Sequence, residues 1–251
     1  MIDLAGRRVV VTGGSRGIGS ACCRLFAKAG AAVMIQYLAS DARAGAVLKE
    51  LRRLSDAPHS MFRCDVTDED QVQALFDAVE SRWGGLDCLV NNAGVWVHDP
   101  LAELRSDRLQ ATFAVNVVGP FLCARCSIPL LTGSEDASIV NISSTAGQRG
   151  EAFYSAYAAS KGALISATKS WSSELAPGIR VNAVAPGWVD TDMTSEALSG
   201  TYRDQVVASI PLQRIATPED IAGPVLFLSS PLARHITGEI LNVNGGSVLI
   251  G

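Results

Sequence analysis

The sequence predicts an α/β protein, a three-layer doubly wound fold with a seven-stranded parallel sheet flanked by helices. Three observations predict it. Short apolar, β-branched runs alternate with longer amphipathic stretches from one end to the other, the pattern of repeated βα units. Most of the short runs are too uniformly apolar to face water on one side, as strands covered on both faces are. The first of them feeds a glycine-rich turn with a helix directly behind it.

In chain order, strands are predicted over 8–11, 32–37, 60–64, 88–90, 138–142, 180–184 and 240–243. Between them, helical periodicity fills 17–29, 41–54, 69–83, 105–131, 155–175 and 218–228. Asp68 and Thr217 stand ahead of acidic first turns as N-cap residues do, and Pro218 suits a first helical turn. No repeat, low-complexity tract or composition shift marks a linker, so residues 1–251 read as one domain. The stretch 186–217 mixes Gly, Ser, Asp and Thr with apolar residues. It reads as a mobile substrate-loop excursion over a site rather than a boundary.

The chain is 48% hydrophobic, with 21 basic against 25 acidic side chains, a net charge of −4 and a pI near 5.4. That composition argues against disorder. The slight acidity and the lack of a basic patch give no long-range attraction for phosphate backbones or anionic lipid, so neither nucleic acid nor a membrane is expected as a partner. Met1 to Gly6 carry Asp3 and lead straight into Arg7-Arg8, unlike a cleaved leader. No uncharged apolar run reaches the ~20 residues of a membrane span. A soluble, cytoplasmic protein is the expectation. Cys22, Cys23, Cys64, Cys88, Cys123 and Cys126 lie in apolar segments, where thiols behave as small buried hydrophobes. Cys123-Ala-Arg-Cys126 has redox or zinc spacing but no second pair and no neighbouring histidine, so no metal is expected.

The first strand runs into Thr12-Gly13-Gly14-Ser15-Arg16-Gly17-Ile18-Gly19. Glycines here permit a tight turn and let backbone N–H groups approach a pyrophosphate at the positive end of the helix dipole. The spacing differs from the commoner G-x-G-x-x-G fingerprint, and such a turn by itself is also compatible with close packing alone. Further on, Asn91-Asn92-Ala93-Gly94 closes the fourth strand, Ser143-Ser144 closes the fifth, and Tyr157-Ala-Ala-Ser-Lys161 opens the helix after it. Tyr157 and Lys161, four apart, share one face of that helix. A phenol has a pKa of ~10, too high for ready proton exchange near neutrality. A unit charge ~4 Å away at an effective dielectric of ~20 is worth ~4 kcal/mol. At ~1.4 kcal/mol per tenfold, one ammonium could bring the phenol at most down to about 7. Because side chains alternate along a strand, Ser143 and Ser144 are not expected to face one pocket together.

Further motifs are Asp65-Val66 after the third strand, Asn116 in the fourth helical stretch, Pro186-Gly187 with Thr191 beyond, and Gly238…Val243-Asn244-Gly245-Gly246 near the end. With these the chain resembles the short-chain dehydrogenase/reductase family, in particular the branch that includes the 3-oxoacyl carrier-protein reductases. The motifs stand in order over the whole chain. The resemblance implies a Rossmann fold and an oxidoreductase that moves a hydride between a nicotinamide dinucleotide and a carbonyl or secondary-alcohol substrate. It implies Asn116, Ser144, Tyr157 and Lys161 as catalytic residues. Tyr157 is the general acid/base, Ser144 the hydrogen-bond donor to the carbonyl oxygen, and Lys161 also holds the nicotinamide ribose. Asn116 shapes a helix distortion that holds a water of the proton relay, and Gly119-Pro120 fits irregular backbone there. The alternative for Asn116 is a satisfied core amide, since an unpaired one among apolar neighbours is costly.

The cofactor is expected against Gly13, Ser15, Arg16, Gly17, Ile18, Gly19, Tyr37, Ser40, Asp65, Val66, Asn92, Ala93, Gly94, Tyr157, Lys161, Pro186, Gly187, Val189 and Thr191. For the Asn91–Gly94 turn, bracing the central strand is as open as direct contact. Tyr37 stands where the family carries an acid for the ribose 2′-hydroxyl. Arg16, with Ser40 and Arg43 as helpers, suits an extra phosphate. NADP(H) is therefore expected in preference to NAD(H), although no arginine follows Tyr37 as it does in some NADP-selective relatives. The expected substrate walls are 95–98, 148–154 and 188–202, with Trp96, Gln148, Phe153, Tyr154 and Trp188 foremost, suited to an apolar or ring-bearing carbonyl compound; packing or a subunit contact is the alternative. His98 is either a substrate contact or a solvated loop residue. Glu135 and Asp136 count mildly against a carrier-bound acyl substrate. A homotetramer (or dimer) is implied, and apolar faces around 115–122 and 165–171 and the tail 248–250 suit it. The other two readings are a 3-oxoacyl-carrier-protein reductase specifically and a non-catalytic dinucleotide-binding scaffold.

Overall fold

The computed structural model describes residues 2–249. The chain runs β1 (Arg8–Val11), α1 (Gly17–Lys28), β2 (Ala32–Tyr37), α2 (Asp41–Leu54), β3 (Ser60–Arg63), α3 (Glu69–Trp83) and β4 (Cys88–Asn91). It continues through α4 (Ser106–Phe113), α5 (Gly119–Leu131), β5 (Ala137–Ile142), α6 (Thr145–Arg149), α7 (Ser155–Glu174), β6 (Ile179–Pro186), α8 (Thr201–Ser209), α9 (Pro218–Leu228) and β7 (Ile240–Val243).

The strands form one parallel sheet in the order β3-β2-β1-β4-β5-β6-β7. Strand alternation sorts the side chains between two layers. Val9, Val11, Val33 and Ile35 face α1, α2 and α9, where they meet Phe26, Leu51 and Val225. Val10, Met34, Leu89 and Ile139 face α3, α5 and α7, against Phe76, Cys123 and Leu164. Fully buried side chains such as Phe26 and Phe76 each contribute about 1.5–3 kcal/mol by leaving water. Chain order reverses between β1 and β4, which opens a crevice at the C-terminal strand ends. Both the glycine-rich turn and the ends of β4 and β5 border it.

The seven strands fall where the apolar runs predict them, within a few residues at each end. Two differences have physical causes. The stretch 105–131 is not one regular helix: a five-residue π-turn, Ala114–Val118, separates α4 from α5. Pro120 has no N–H to give to the carbonyl of Asn116, and the Gly119 N–H reaches back to Ala114. The joined helix Ser106–Leu131 is apolar and long enough to cross a membrane, which counting uncharged residues did not anticipate; half of its apolar window is buried inside the fold. The second difference is the excursion after β6, which is folded rather than loose. It carries α8, and Leu198, Val206, Ile210 and Ile215 form a small core of their own with Trp188 against it. α8 has too few apolar residues to show a helical stripe, and α6 is too short to show one.

Candidate active site

The glycine-rich turn is shaped by close approach. Gly13 has a φ of +64°, and a Cβ there would lie 3.0 Å from the Ala93 Cα. A Cβ on Gly19 would come within 2.3 Å of the Gly13 carbonyl oxygen, so only glycine fits. Arg16 stands at the N-cap of α1 without a side-chain cap, and the first turn holds no acid. Its leading N–H groups and the positive dipole end thus suit a diphosphate. Ser15, Gly17 and Ile18 lie partly exposed around it.

Two residues the sequence reading missed hold this turn in place. The buried Gln36 side chain accepts from the Gly13 N–H at 2.8 Å and donates to the Cys64 carbonyl. Thr12 Oγ1 accepts from the N–H groups of Asn92 at 2.9 Å and Ala93 at 3.0 Å, while Asn92 Nδ2 donates to the Thr12 carbonyl at 2.8 Å. This knot ties the ends of β1 and β4 together, so the bracing role left open for the Asn92 turn is present in the structure. A polar residue inside a buried apolar strand was the available signal for Gln36. Nearby, Asp65 Oδ1 accepts from both the N–H and the hydroxyl of Thr67, and Val66 is buried.

Past the fifth strand the two serines part, as alternation requires. Ser143 Oγ donates to the Lys161 carbonyl at 3.0 Å and is buried. The Ser144 hydroxyl caps α6, accepting from the Ala146 N–H at 3.1 Å, and faces the Tyr157 phenol, which it holds down in pKa. Lys161 is buried, and its ammonium donates to the Ile142 carbonyl at 2.8 Å, 5.9 Å from the Tyr157 ring centre. Its effect on the phenol differs from expectation. Burial outweighs every other influence on Tyr157 and pushes it up to about 12, with the Glu151 carboxylate acting in the same direction. Burial likewise brings Lys161 down to about 8. The influences that move the phenol do not include Lys161, whose ammonium is engaged by the Ile142 carbonyl.

Asn116, at the centre of the π-turn, is buried and fully paired. Its Oδ1 accepts from the Val95 N–H and its Nδ2 donates to the Val95 carbonyl, both at 2.9 Å, and to Ser160 Oγ at 3.0 Å. Both alternatives for this residue therefore hold in part: the helix is distorted here, and the amide is satisfied. A Cβ on Gly94 would sit 3.2 Å from Asn116 Oδ1 and 3.5 Å from Lys161 Nζ, so the end of β4 lies directly against this group.

The aromatic residues assemble as one wall. Trp96 stacks on Tyr154 with ring centres 4.3 Å apart, and Trp188 meets Trp96 edge-on at 5.9 Å. Tyr202 of α8, at the end of the expected 188–202 wall, continues it 6.1 Å from Trp188. His98 and Phe153 lie at its exposed outer edge, Phe153 with a strained φ of +66°. Glu151, inside the expected 148–154 wall, is half-buried, accepts from Trp96 Nε1 at 3.4 Å, and burial raises its carboxyl. Gln148 is turned elsewhere, donating to Asn242 Oδ1 at 2.7 Å with its own Oε1 buried and unpaired. A cavity of about 780 Å³ lies beyond Trp188 against Leu212 and Leu249 and does not include Tyr157 or Ser144.

At the other end of the crevice Tyr37 is buried, its phenol raised by burial and by the Asp41 carboxylate that it bonds. Ser40 caps α2, accepting from the Arg43 N–H at 3.3 Å. Pro186 closes β6, Gly187 packs on Asn244, and Val189 bridges to Ala216. Thr191 rests 3.4 Å from where a Cβ of Gly17 would be. Arg16 and Arg43 both reach the exposed carboxylate of Asp192. All six cysteines are free and buried, and burial pushes the Cys23 and Cys64 thiols up to about 12. Among the described residues no three His, Cys, Asp or Glu side chains converge as a metal site requires.

A helix that offers uncapped N–H groups to a diphosphate, beside a phenol and an amine in a crevice at the sheet's switch point, defines a class: dinucleotide-dependent oxidoreductases. The comparisons carry this further. The sequence model of the family described as enoyl-(acyl carrier protein) reductase matches residues 13–247. The chain is 37% identical over 241 residues to the 3-oxoacyl-(acyl-carrier-protein) reductase FabG of Staphylococcus aureus strain Mu50, covering 96% of this chain and 97% of that one. It is 40% identical over 246 residues to the cis-4-hydroxycyclohexanecarboxylate dehydrogenase of Sinomonas cyclohexanicum, covering 96% of each. The crystal structure of a short-chain dehydrogenase/reductase, described as a glucose/ribitol dehydrogenase, from Brucella melitensis superposes with a TM-score of 0.93 at 35% identity and covers 99% of both chains. The chain belongs to the short-chain dehydrogenase/reductase family, as an oxidoreductase acting on CH–OH and C=O groups with a nicotinamide dinucleotide.

Proposed function

We propose that the protein is an NADP(H)-preferring reductase or dehydrogenase of ring-bearing carbonyl compounds and their secondary alcohols, with Tyr157 as general acid and base. The observation that carries this is the convergence of the Ser144 hydroxyl on the Tyr157 phenol, one helical turn from buried Lys161. The nicotinamide, when bound, supplies or accepts the hydride. Tyr157, held neutral by burial, has its proton in place for a carbonyl oxygen gaining charge. Ser144 donates a hydrogen bond to that same oxygen. Lys161, charged below about pH 8, offers donors to the ribose. Asn116 clamps Val95 and so fixes the approach from β4. The diphosphate would rest on Gly13, Ser15, Gly17, Ile18 and Gly19, and the strand ends at Asp65, Val66, Ala93, Gly94, Gly187, Val189 and Thr191 would line the rest of the dinucleotide.

Support for the phosphate-bearing cofactor comes from Arg16 and Arg43, which converge on one anionic partner beside the crevice. Comparing kcat/KM for NADPH and NADH over a panel of cyclic and open-chain ketones tests the assignment. NADPH and the cyclic ketones are expected to give the higher values, and a clear NADH preference would overturn it. The names of the 37%-identical relatives favour a second reading, a carrier-bound 3-oxoacyl substrate. Against it, Arg180, which pairs with Asp136 beside Glu135, is largely buried. The wall of Trp96, Tyr154, Trp188 and Tyr202 suits a ring better than an open chain. We also infer one domain, a cytoplasmic location, which buried free thiols suit, and a homotetramer. Exposed Val118 and Phe121 on one side of the π-turn and α5, with Phe121 edge-on to Trp171 at 4.8 Å, would be covered by a second copy. A monomeric mass by light scattering would reject the last of these.

A further inference from the structure

Asp192 follows Thr191 in the segment after β6, and two arginines from distant parts of the chain share its carboxylate. Arg43, in the first turn of α2, approaches it at 2.5 Å, and Arg16, in the glycine-rich turn, at 3.9 Å. The three side chains are 54–63% exposed. Among the described residues neither arginine has another ion-pair partner. The same segment touches the turn itself, since Thr191 lies against Gly17. A single carboxylate thus stands between the two guanidinium groups to which the NADP(H) reading gives the 2′-phosphate.

We propose that Asp192 is an internal surrogate for that phosphate. It pairs Arg16 and Arg43 and must yield them when a 2′-phosphate arrives, which makes it a specificity-determining residue and links the folded excursion to the identity of the cofactor. The proposal rests on the NADP(H) reading. An exposed ion pair is weak and screened by salt, whereas a phosphate brings up to two charges and three strong acceptor oxygens to the same donors. The phosphate therefore displaces the carboxylate, but at a cost in affinity equal to the pairing that is broken. A cofactor without the phosphate makes no claim on the arginines and leaves the pairing alone. A ligand shifts such an equilibrium only through its different affinity for the two arrangements.

The test is equilibrium binding of NADPH and NADH, followed by nicotinamide fluorescence, to the wild type, Asp192→Asn, and the double variant Arg16→Ala/Arg43→Ala. Asp192→Asn is expected to bind NADPH about threefold tighter, with NADH affinity unchanged. The gain should disappear in about 0.5 M salt and in the double-variant background. Unchanged or weaker NADPH binding by Asp192→Asn overturns the proposal, and Asp192→Ser, at the same exposed position, provides a second folded variant for the measurement. If the double variant binds NADPH as the wild type does, the phosphate placement itself has failed and the surrogate with it. If the double variant loses NADPH affinity while Asp192→Asn changes nothing, only the surrogate role is removed.

Discussion

The floor of the crevice and its rim are built on opposite physical terms. On the floor, Asn116, Ser143 and Lys161 are buried, and each has a fixed hydrogen-bond partner. At the rim, Arg16, Arg43, Asp192 and Phe153 are more than half exposed, the first three held by ion pairs and Phe153 lying against the His98 ring. Burial sets the titration of the floor, moving the phenol and the amine in opposite directions, whereas water screens the rim. The comparison teaches where change is tolerated: proton exchange belongs to the rigid part of the fold, and choice of cofactor and substrate to contacts that can be exchanged cheaply.

The largest effect that would sharpen this contrast is expected at Tyr157. Tyr157→Phe keeps the buried ring and removes the hydroxyl, so kcat/KM should fall about 10²–10⁴-fold while NADPH affinity stays within about twofold. Turnover near the wild-type level would break the account of the floor.

A smaller effect is expected from pH. Lys161, lowered to about 8, carries its proton below that pH and loses it above, while the phenol, raised to about 12, stays protonated throughout. Carbonyl reduction should then be flat up to about pH 8 and fall by up to tenfold per pH unit beyond. Alcohol oxidation, which needs the phenol to shed its proton, should rise with pH. Lys161→Met is expected to erase the break near pH 8, and a profile identical to the wild type would show that another group is titrating. The smallest effect lies at the rim, the roughly threefold gain expected at Asp192. A change there as large as that at Tyr157 would dissolve the distinction between floor and rim.

Much of the site was legible because it depends on short spacings. Tyr157 and Lys161 are one turn apart on a helix, Ser143 and Ser144 must point opposite ways, and the glycines cluster where a strand meets a helix. The electrostatics were not legible. The i, i+4 spacing placed an amine near a phenol, but only the fold shows that the Ile142 carbonyl claims the amine and that burial governs both groups. Gln148 is expected at the substrate wall, yet β7 lies close enough for Asn242 to hold its amide. Tyr202 and Glu151 fall inside the stretches expected to wall the substrate, but nothing local singles them out, since one sits on a weakly patterned helix and the other in a short loop.

The sequence by itself determined the alternation of strand and helix, the two-sided burial of the sheet, the glycine-lined turn and the pairing of Tyr157 with Lys161. Each follows from sterics and hydrophobic period within a few residues. Tertiary structure alone decided that Gln36 holds Gly13 across 23 residues, that Asn116 clamps Val95 across 21, and that Asp192 meets Arg43 across 149. Those partners depend on the order of strands in the sheet, which no local periodicity encodes. The buried polar groups among them had to find partners there because water could not reach them.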